Sequence, residues 1–315
     1  MKNFISLTDL PNFDAALELA KSLKEDPYAF ENHAKRKTLG LIFFNPSLRT
    51  RLSTQKAAQN LGFETLVMNF SNEAWALEFE DGTEMRGIRS EHVREAAAVI
   101  SQYCDVVAIR AFASLNNKEQ DEAEIVLNSF ANYASIPVIN MESATGHPLQ
   151  ALADALTLAE HKTLHKPKVV LSWAPHPKAL PHAVGNSFVK MMEHQDAEFV
   201  ITNPEGYDLD PRITKDIPVI HNQEEALKNA DFVYAKNWCS YSNYGSILRT
   251  DDEWMLTADK MKLTNNAKFM HCLPVRRNIV VADGVLDNSN SLVIEQANNR
   301  TYAAQAVLKT IIDHV

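Results

Sequence analysis

The sequence has few cysteines, few glycines and no long apolar run, and these shortages exclude several classes of protein. It contains three cysteines, Cys104, Cys239 and Cys272, without a Cys-x-x-Cys pair, so neither a disulfide framework nor a cysteine zinc site is expected. No run approaches the roughly 20 apolar residues of a membrane span, and the N-terminus lacks the apolar core of a signal sequence. We therefore expect a cytoplasmic protein without a membrane partner.

An excess of positive charge is also missing. The formal net charge is -9, and no cluster of lysines and arginines offsets it, which argues against a nucleic-acid partner. The apolar content of 45% and the charged content of 23% are ordinary for a soluble globular protein. With 315 residues, the chain is long enough for two domains that each bury a core.

Short apolar runs alternate with helical patterns along the chain, which predicts an α/β fold of two doubly wound parallel-sheet domains. We expect one domain over 1–150, joined by a C-terminal helix at 297–315, a second domain over 151–296, and an active site in the cleft between them. A first helix is expected after a cap at Thr8 or Asp9. The predicted strands are 39–44, 65–70, 105–109, 136–140, 168–173, 198–202, 217–220, 231–235 and 268–272, and predicted helices include 92–103, 122–134, 149–160, 223–229, 251–261 and 297–313.

Glycine is missing from the turn where a dinucleotide site would need it. The turn 174–181 follows the strand at 168–173 and contains three prolines and no glycine. A nicotinamide-binding fold requires Gly-x-Gly-x-x-Gly at such a turn. No group of metal-ligating residues has a usable spacing either, so we expect no cofactor and no metal.

The stretch 39–62 carries the most informative local pattern. It opens with an apolar run that suits a buried parallel strand, breaks at an Asn-Pro pair, and continues as a helical pattern from Ser47, a good N-cap, to Gly62, a plausible stop. Arg49 and Arg51 lie in the first turn of this helix, where the helix dipole disfavours cations. A bound anion removes that conflict, so the pattern predicts a phosphate site. A surface helix with two solvated arginines is the alternative.

Polar or reactive residues also follow several of the predicted strands. Ligands of open α/β sheets gather at the carboxyl ends of strands, which makes these residues candidates independently of any motif. The residues in question are Ser47, Arg110, Glu142, His176, Lys236 and Cys272.

Three short motifs together resemble the aspartate/ornithine carbamoyltransferase family. Residues 47–51 read Ser-Leu-Arg-Thr-Arg, like the family's Ser-x-Arg-Thr-Arg, residues 147–150 read His-Pro-Leu-Gln, like its His-Pro-x-Gln, and residues 271–274 read His-Cys-Leu-Pro, like its motif of the same letters. They occur in the family's order and the length fits, so the resemblance covers essentially the whole chain. It implies that 1–150 is a carbamoyl phosphate-binding domain and 151–296 an acylornithine-binding domain.

The resemblance implies a carbamoyltransferase mechanism. The δ-amine of the acceptor would attack the carbamoyl carbon, His147, Thr50 and an arginine would stabilise the oxyanion, and the phosphate would leave with the amine proton. By resemblance, the catalytic residues are Arg110, His147, Gln150 and Cys272, and Arg300, expected at a helix start, also serves the donor. The residues expected to bind carbamoyl phosphate are Ser47, Leu48, Arg49, Thr50, Trp75, Arg110, His147, Gln150, Cys272, Leu273, Arg276 and Arg300.

The polar segment 71–90 is too long and irregular for a simple connection, so we expect it to be functional or to form an interface. In the acylornithine branch of the family, a Trp in this segment reaches into a neighbouring subunit's carbamoyl phosphate site. By resemblance, Trp75 implies a homotrimer with shared active sites. Burial of Trp75 as a core anchor is the alternative.

The acceptor substrate is predicted from a second loop. Ornithine enzymes carry Asp-x-x-x-Ser-Met-Gly after the strand that here ends at Lys236, and both parts of that motif are missing. The Lys236-x-Trp238 pattern, together with Trp75, instead resembles the N-acylornithine carbamoyltransferases of bacterial arginine biosynthesis. A lysine suits a substrate carboxylate, and an acylated nitrogen carries no charge that needs an aspartate. By this resemblance, the acylornithine-binding residues are Ser90, Glu142, His176, Leu180, Lys236 and Arg276.

Two departures favour a succinyl over an acetyl group. Acetylornithine members carry a Glu at the position that aligns with Ser90 and a Lys at the position of Val280. Succinylornithine members lack that Glu and usually carry a Pro, so Ser90 matches neither group. A Glu would repel the second carboxylate of a succinyl group, whereas a Ser would not. We therefore expect an enzyme that converts carbamoyl phosphate and N-succinyl-L-ornithine into N-succinyl-L-citrulline and phosphate. The alternatives are an N-acetylornithine or ornithine carbamoyltransferase, or a non-catalytic anion-binding or regulatory relative.

Overall fold

The computed structural model describes residues 1–314, and Val315, the last residue of the predicted 297–315 segment, lies outside the described residues. The chain divides into two compact units. The first contains Met1–Ser114, Glu119–Leu152 and the residues from Arg300 onward, and the second contains Leu115–Lys118 and Ala153–Asn299.

Helices and strands alternate along the chain. The helices are α1 (Phe13–Glu25), α2 (Arg49–Asn60), α3 (Val93–Tyr103), α4 (Lys118–Glu122), α5 (Ile125–Tyr133), α6 (Pro148–His161), α7 (Ala183–Met192), α8 (Pro211–Thr214), α9 (Gln223–Leu227), α10 (Ala258–Met261), α11 (Asp283–Leu286) and α12 (Val293–Ile312). The strands are β1 (Thr38–Phe43), β2 (Glu64–Asn69), β3 (Leu77–Glu78), β4 (Glu91–His92), β5 (Val106–Arg110), β6 (Val138–Glu142), β7 (Lys168–Trp173), β8 (Glu198–Thr202), β9 (Val219–Ile220), β10 (Phe232–Lys236) and β11 (Lys268–Met270).

The first unit is built on a four-stranded parallel sheet with the strand order β2-β1-β5-β6. β1 and β5 are buried almost throughout, as their apolar runs predict. The chain adds β2 on one side of β1 and then β5 on the other, so the strand order reverses between β1 and β5. Ligands of open α/β sheets bind in the crevice at such a reversal, outside the carboxyl ends of the strands.

The second unit repeats this plan with a five-stranded parallel sheet in the order β11-β10-β7-β8-β9. Its strand order reverses between β7 and β10, so the carboxyl ends of those two strands mark the expected ligand crevice. Apolar side chains from the sheet, such as Val170 and Val233, pack against Ala226 and Leu227 of α9. The predicted α/β fold with two parallel-sheet domains is confirmed.

Some boundaries differ from the predictions, for reasons visible in the side chains. The first helix is capped by Asn12, whose side chain accepts a hydrogen bond from the Ala15 N–H at 2.9 Å, rather than by Thr8 or Asp9. The predicted helix at 251–261 shrinks to the four residues of α10. The ammonium of Lys260 donates to the backbone carbonyls of Glu253 and Met255, which precede α10. These carbonyls therefore accept hydrogen bonds from a side chain instead of from the N–H groups of a helix.

The predicted helix at 122–134 is broken into α4 and α5. Glu124 lies between them in the left-handed region, with φ of 51°. Its carboxylate accepts hydrogen bonds from the backbone N–H groups of Ala144 and Thr145, at 3.2 and 2.7 Å, and from the Ser143 hydroxyl at 2.7 Å. The loop after β6 therefore binds the Glu124 carboxylate, and the predicted helix is interrupted at Glu124.

Candidate active site

The helix predicted after the first strand is present as α2, but its cap differs from the prediction. Leu48 holds the N-cap position, and its side chain is 68% exposed. Ser47 precedes it, and the Ser47 hydroxyl still accepts the Thr50 N–H at 3.3 Å, as a capping oxygen does. The helix ends at Asn60, and Gly62, the predicted stop, follows the C-cap Leu61 with a φ of 88° that suits glycine. Arg49, half-buried, is in the first turn.

Two buried guanidiniums converge on the hydroxyl of Thr50. Arg110, at the carboxyl end of β5, donates to the Thr50 Oγ1 at 3.3 Å, and Arg300 donates to the same oxygen at 2.6 Å. All three side chains are buried. Arg300 belongs to the middle of α12 and not to a helix start, because α12 begins at Val293, so the predicted conflict with the helix dipole does not exist there.

A carboxylate and an imidazole complete this group of the first unit. Glu142, at the carboxyl end of β6, accepts a short hydrogen bond from Arg110. The His147 Nε2 atom lies 3.3 Å from the Glu142 Oε2 atom and 3.4 Å from a terminal nitrogen of Arg300. Gln150 is buried in the first turn of α6. The predicted strand-end residues Arg110 and Glu142 are thus brought together with His147, Thr50 and Arg300.

Trp75 and Ser90 lie in the segment 71–90 of the first unit. Trp75 is 58% exposed, and its indole N–H donates to a Glu91 carboxylate oxygen at 2.7 Å. Trp75 is therefore not a core anchor of its own chain. Ser90 is exposed, and its N–H donates to the Ala76 carbonyl at 3.2 Å, beside the short parallel pair of β3 and β4.

In the second unit, the predicted acylornithine residues follow the two strands that flank the crevice. Lys236 ends β10, and His176 lies in the turn after β7. The Arg276 Nε donates to the His176 Nε2 at 3.1 Å. The His176 Nδ1 lies 2.9 Å from the Lys178 carbonyl oxygen and 3.1 Å from the Lys178 backbone nitrogen. Partial burial lowers the pKa of His176, and the nearby charges of Arg276 and Lys236 lower it further. A neutral imidazole that accepts from Arg276 fits this environment.

The turn that carries His176 is tied to the loop after β10 by backbone and indole contacts. The Leu180 carbonyl accepts the Cys239 N–H at 2.9 Å. The indole N–H of Trp173 donates to the Trp238 carbonyl at 2.8 Å. Val280, in contrast, is buried in the apolar core of this unit, so an apolar residue suits that position and an unpaired lysine would not.

Cys272 and Leu273 follow β11, which ends at Met270 rather than at 272 as predicted. Cys272 is buried, and Leu273 adopts a left-handed backbone with φ of 54°. The fully buried Tyr234 lies beside this cysteine. Burial raises the pKa of the Tyr234 hydroxyl well above its ordinary value, and the neighbouring Asp154 and Cys272 raise it further.

Sequence reasoning missed Asp154 and Gln296. Both side chains are buried in the second unit, and the Gln296 amide donates to an Asp154 carboxylate oxygen at 2.7 Å. A signal for Asp154 was present, since it is the charged residue within the apolar run at 151–158. Gln296 has no comparable signal, because an amide in a helix is common on exposed faces.

Residues 1–314 contain no group of three or more His, Cys, Asp or Glu side chains that could hold a metal ion. Within the same residues, we find no helix of the length and apolar character needed to cross a membrane.

Family models match most of the chain. Residues 2–160 match the carbamoyl-P binding domain of aspartate/ornithine carbamoyltransferase, and residues 182–311 match the Asp/Orn binding domain of the same family. The N-succinylornithine carbamoyltransferase of Bacteroides fragilis (strain 638R) is 47% identical over 317 residues, covering 100% of this chain and 100% of the relative. The N-acetylornithine carbamoyltransferase of Xylella fastidiosa (strain Temecula1 / ATCC 700964) is 36% identical and covers 99% of this chain and 98% of the relative.

A solved structure of similar fold carries a substitution at a glutamate. It is an N-acetyl-L-ornithine transcarbamylase with a Glu→Ser mutation, complexed with carbamyl phosphate and N-succinyl-L-norvaline. Its TM-score is 0.93 at 35% identity, over 99% of this chain and 100% of that chain. The acetylornithine transcarbamylase complexed with acetylcitrulline superimposes with a TM-score of 0.92 at 34% identity, over 99% of both chains.

Proposed function

Because the chain belongs to the aspartate/ornithine carbamoyltransferase family, we propose that it is an N-succinylornithine carbamoyltransferase, which moves the carbamoyl group of carbamoyl phosphate to the δ-amine of N-succinyl-L-ornithine. The family and its N-acylornithine branch, predicted from the motifs, are confirmed by the relatives and family models. The chain is thus an enzyme that acts on small-molecule substrates, and arginine biosynthesis is the pathway consistent with its family.

One observation carries the proposal for the carbamoyl phosphate site. Arg110 and Arg300 converge on the Thr50 hydroxyl at the switch point of the first sheet, beside Arg49 at the start of α2. Two buried cations and the start of a helix suit a phosphate dianion. Glu142 is hydrogen-bonded to Arg110, so we propose that the phosphate takes the place of this carboxylate on the guanidinium when carbamoyl phosphate binds.

The remaining steps follow from the charges. The phosphate would be held by Ser47, Arg49, Thr50 and Arg110, with Arg276 and Leu48 contributing as the family resemblance implies. The neutral δ-amine attacks the carbamoyl carbon, and the oxyanion is stabilised by His147 together with Thr50 and Arg300. Gln150, Cys272 and Leu273 would contact the carbamoyl group on the side of its nitrogen. The departing phosphate accepts the amine proton, so no cofactor is required.

We propose that the acylornithine is bound by residues of the second unit. Lys236 suits the substrate carboxylate, and Arg276 together with His176 presents a cation and an imidazole beside it, with Leu180 close by in the chain. Under this proposal, the first unit is the carbamoyl phosphate-binding domain and the second the acylornithine-binding domain, with the boundaries expected at 1–150 and 151–296. The reaction cleft between the two domains stays a prediction.

The succinyl group is favoured by the relatives and by Ser90. Relatives named N-succinylornithine carbamoyltransferase reach 47% identity, against 35–36% for those named N-acetylornithine carbamoyltransferase. A related acetylornithine enzyme with Glu→Ser was crystallised with a succinyl ligand, which supports a serine as compatible with that group. The buried, apolar surroundings of Val280 agree with the absence of a lysine there.

We also propose a homotrimer in the cytoplasm. Large apolar side chains of the first unit are exposed along α2, β2 and the segment 71–90, which supports a subunit interface in this region. These residues are Leu48, Leu52, Leu66, Trp75 and Ile88. Trp75 would complete the carbamoyl phosphate site of the neighbouring subunit, and light scattering that gives the mass of one chain would contradict this assembly.

The decisive experiment compares three acceptors. Citrulline-type products are quantified with ornithine, N-acetylornithine and N-succinylornithine at saturating carbamoyl phosphate. We expect kcat/KM for N-succinylornithine to exceed that for N-acetylornithine at least about tenfold. A ratio of this size corresponds to the loss of one charge-assisted contact with the substrate. A higher kcat/KM for N-acetylornithine would show that N-acetylornithine, and not N-succinylornithine, is the substrate. Carbamoyl phosphate binding without turnover of any acceptor would support the non-catalytic alternative.

A further inference from the structure

The backbone after β11 is held by side chains rather than by the sheet. β11 ends at Met270, so the following N–H groups lose their ladder partners while remaining in a buried region. The His271 N–H donates to the Gln296 Oε1 at 2.9 Å, and the Leu273 N–H donates to the His271 Nδ1 at 2.9 Å. Leu273 needs such restraint, because its left-handed φ of 54° is sparsely populated for a branched residue.

The orientation of the Gln296 amide is set from its other end. The Gln296 Nε2 donates to the Asp154 Oδ1 at 2.7 Å. An ionised carboxylate only accepts hydrogen bonds, so it selects the NH₂ end of the amide and leaves the amide oxygen for His271. Asp154 also lies beside Tyr234, whose hydroxyl neighbours Cys272. The carboxylate thus reaches the cysteine motif through Gln296, which accepts the His271 N–H.

We propose that Asp154 and Gln296 are positioning residues for the reaction, which set the backbone of Cys272 and Leu273 against the carbamoyl group. This inference rests on the proposed function, because it assigns a task to residues that the proposed mechanism places beside the carbamoyl nitrogen. Under this proposal, Asp154 and Gln296 act on the backbone of Cys272 and Leu273 and not on the substrate directly. Their effect passes through two hydrogen bonds, one from the His271 N–H to Gln296 and one from the Leu273 N–H to the His271 Nδ1.

The same pair of helices offers a matched control. One turn further along α12, the fully buried Asn299 donates to the Thr157 Oγ1 at 3.0 Å and to a Glu160 oxygen at 2.8 Å, both on α6. This contact resembles the Asp154–Gln296 contact in burial and in the elements it joins. It differs because it does not lead to the cysteine motif.

The test uses the full-length enzyme with Gln296→Glu, which keeps an acceptor for His271 but sets two carboxylates against each other. The double variant Asp154→Asn with Gln296→Glu reverses donor and acceptor and restores the hydrogen bond. Asn299→Met is the control, and Gln296→Met replaces Gln296→Glu if that variant does not fold. Two quantities are measured: kcat with carbamoyl phosphate and N-succinylornithine, and the iodoacetamide alkylation rates of Cys272, Cys104 and Cys239 by peptide mass spectrometry.

We expect Gln296→Glu to lower kcat about tenfold or more, as the loss of a charge-assisted hydrogen bond predicts, with carbamoyl phosphate affinity nearly unchanged. Alkylation of Cys272 should accelerate while that of Cys104 and Cys239 stays constant. The double variant should return both quantities to near the wild-type values, and Asn299→Met should change neither.

Any other pattern overturns the inference, in particular a parallel acceleration at all three cysteines or a kcat that the double variant does not recover. If the wild type has no activity, the proposed function fails, and the alkylation rates alone still decide whether Asp154 and Gln296 fix the cysteine backbone.

Discussion

Thr50 is the residue whose role is tested most directly by a single change. Its hydroxyl oxygen lies 2.6 Å from an Arg300 donor and 3.3 Å from an Arg110 donor, and the side chain is 1% exposed. Thr50→Val keeps the volume and removes the acceptor. The two guanidiniums then lose a common anchor inside a buried site.

The magnitude follows from the two contacts. A hydrogen bond that involves a charged group contributes about 1.5 to 3 kcal/mol, and the 3.3 Å contact of Arg110 is weaker than the 2.6 Å contact of Arg300. Bound phosphate would satisfy part of what the arginines lose. We therefore expect a net loss of about 1.4 to 2.8 kcal/mol in binding, which weakens carbamoyl phosphate about 10- to 100-fold.

The assay is calorimetric titration with freshly dissolved carbamoyl phosphate, with thermal unfolding measured in parallel. Thr50→Ser keeps the acceptor and should retain most of the affinity. Thr54→Val makes the same chemical change at another buried threonine of α2 and should leave Kd near the wild-type value. A Thr50→Val protein that binds carbamoyl phosphate as tightly as the wild type would refute the role of this hydroxyl as the arginine anchor.

Three further predictions address the acyl group, the assembly and the pH dependence. Ser90→Glu should lower kcat/KM for N-succinylornithine about tenfold and spare N-acetylornithine, since like charges about 4 Å apart repel by about 4 kcal/mol at a dielectric of about 20 before screening; an equal loss for both substrates would show that Ser90 does not read the acyl group. Mixing inactive Trp75→Ala with inactive Arg49→Ala subunits should recover activity if Trp75 completes a neighbour's site, and no recovery after verified subunit exchange would place its role in its own chain. Because the pKa of His176 is lowered, the ring should accept from Arg276 at neutral pH and should lose that ability only as the pH falls below the ordinary histidine pKa of about 6.5. KM for the acylornithine should then rise. If KM rises in the same way at low pH in His176→Gln, the rise does not come from His176.

Parallel strands were the most predictable part of the fold. The apolar runs that became β1, β5, β7 and β10 are buried on both faces in the structure, and such continuous runs are typical of parallel sheets. The candidate residues at their carboxyl ends were predictable for the same reason, because parallel strands present those ends at one edge. Arg110 and Lys236 each end such a strand.

The misjudged helices depend on contacts that no local pattern reveals. Residues 122–134 have a helical pattern, yet Glu124 leaves the helix because its carboxylate is bonded by the loop after β6. The 251–261 segment is opened by Lys260, which donates to backbone carbonyls there. In both cases, a charged side chain satisfies distant backbone groups, and tertiary contacts override local propensity.

The sequence by itself determined the fold class, the order of the motifs and most of the candidate residues, because apolar periodicity and short motifs are local properties of the chain. Only the tertiary structure decided that Arg300 meets Thr50 across 250 positions of sequence, that Glu142 is held by Arg110, and that Asp154 orients Gln296. Such contacts join side chains far apart in sequence, and a buried polar group takes whichever partner the packed core places beside it.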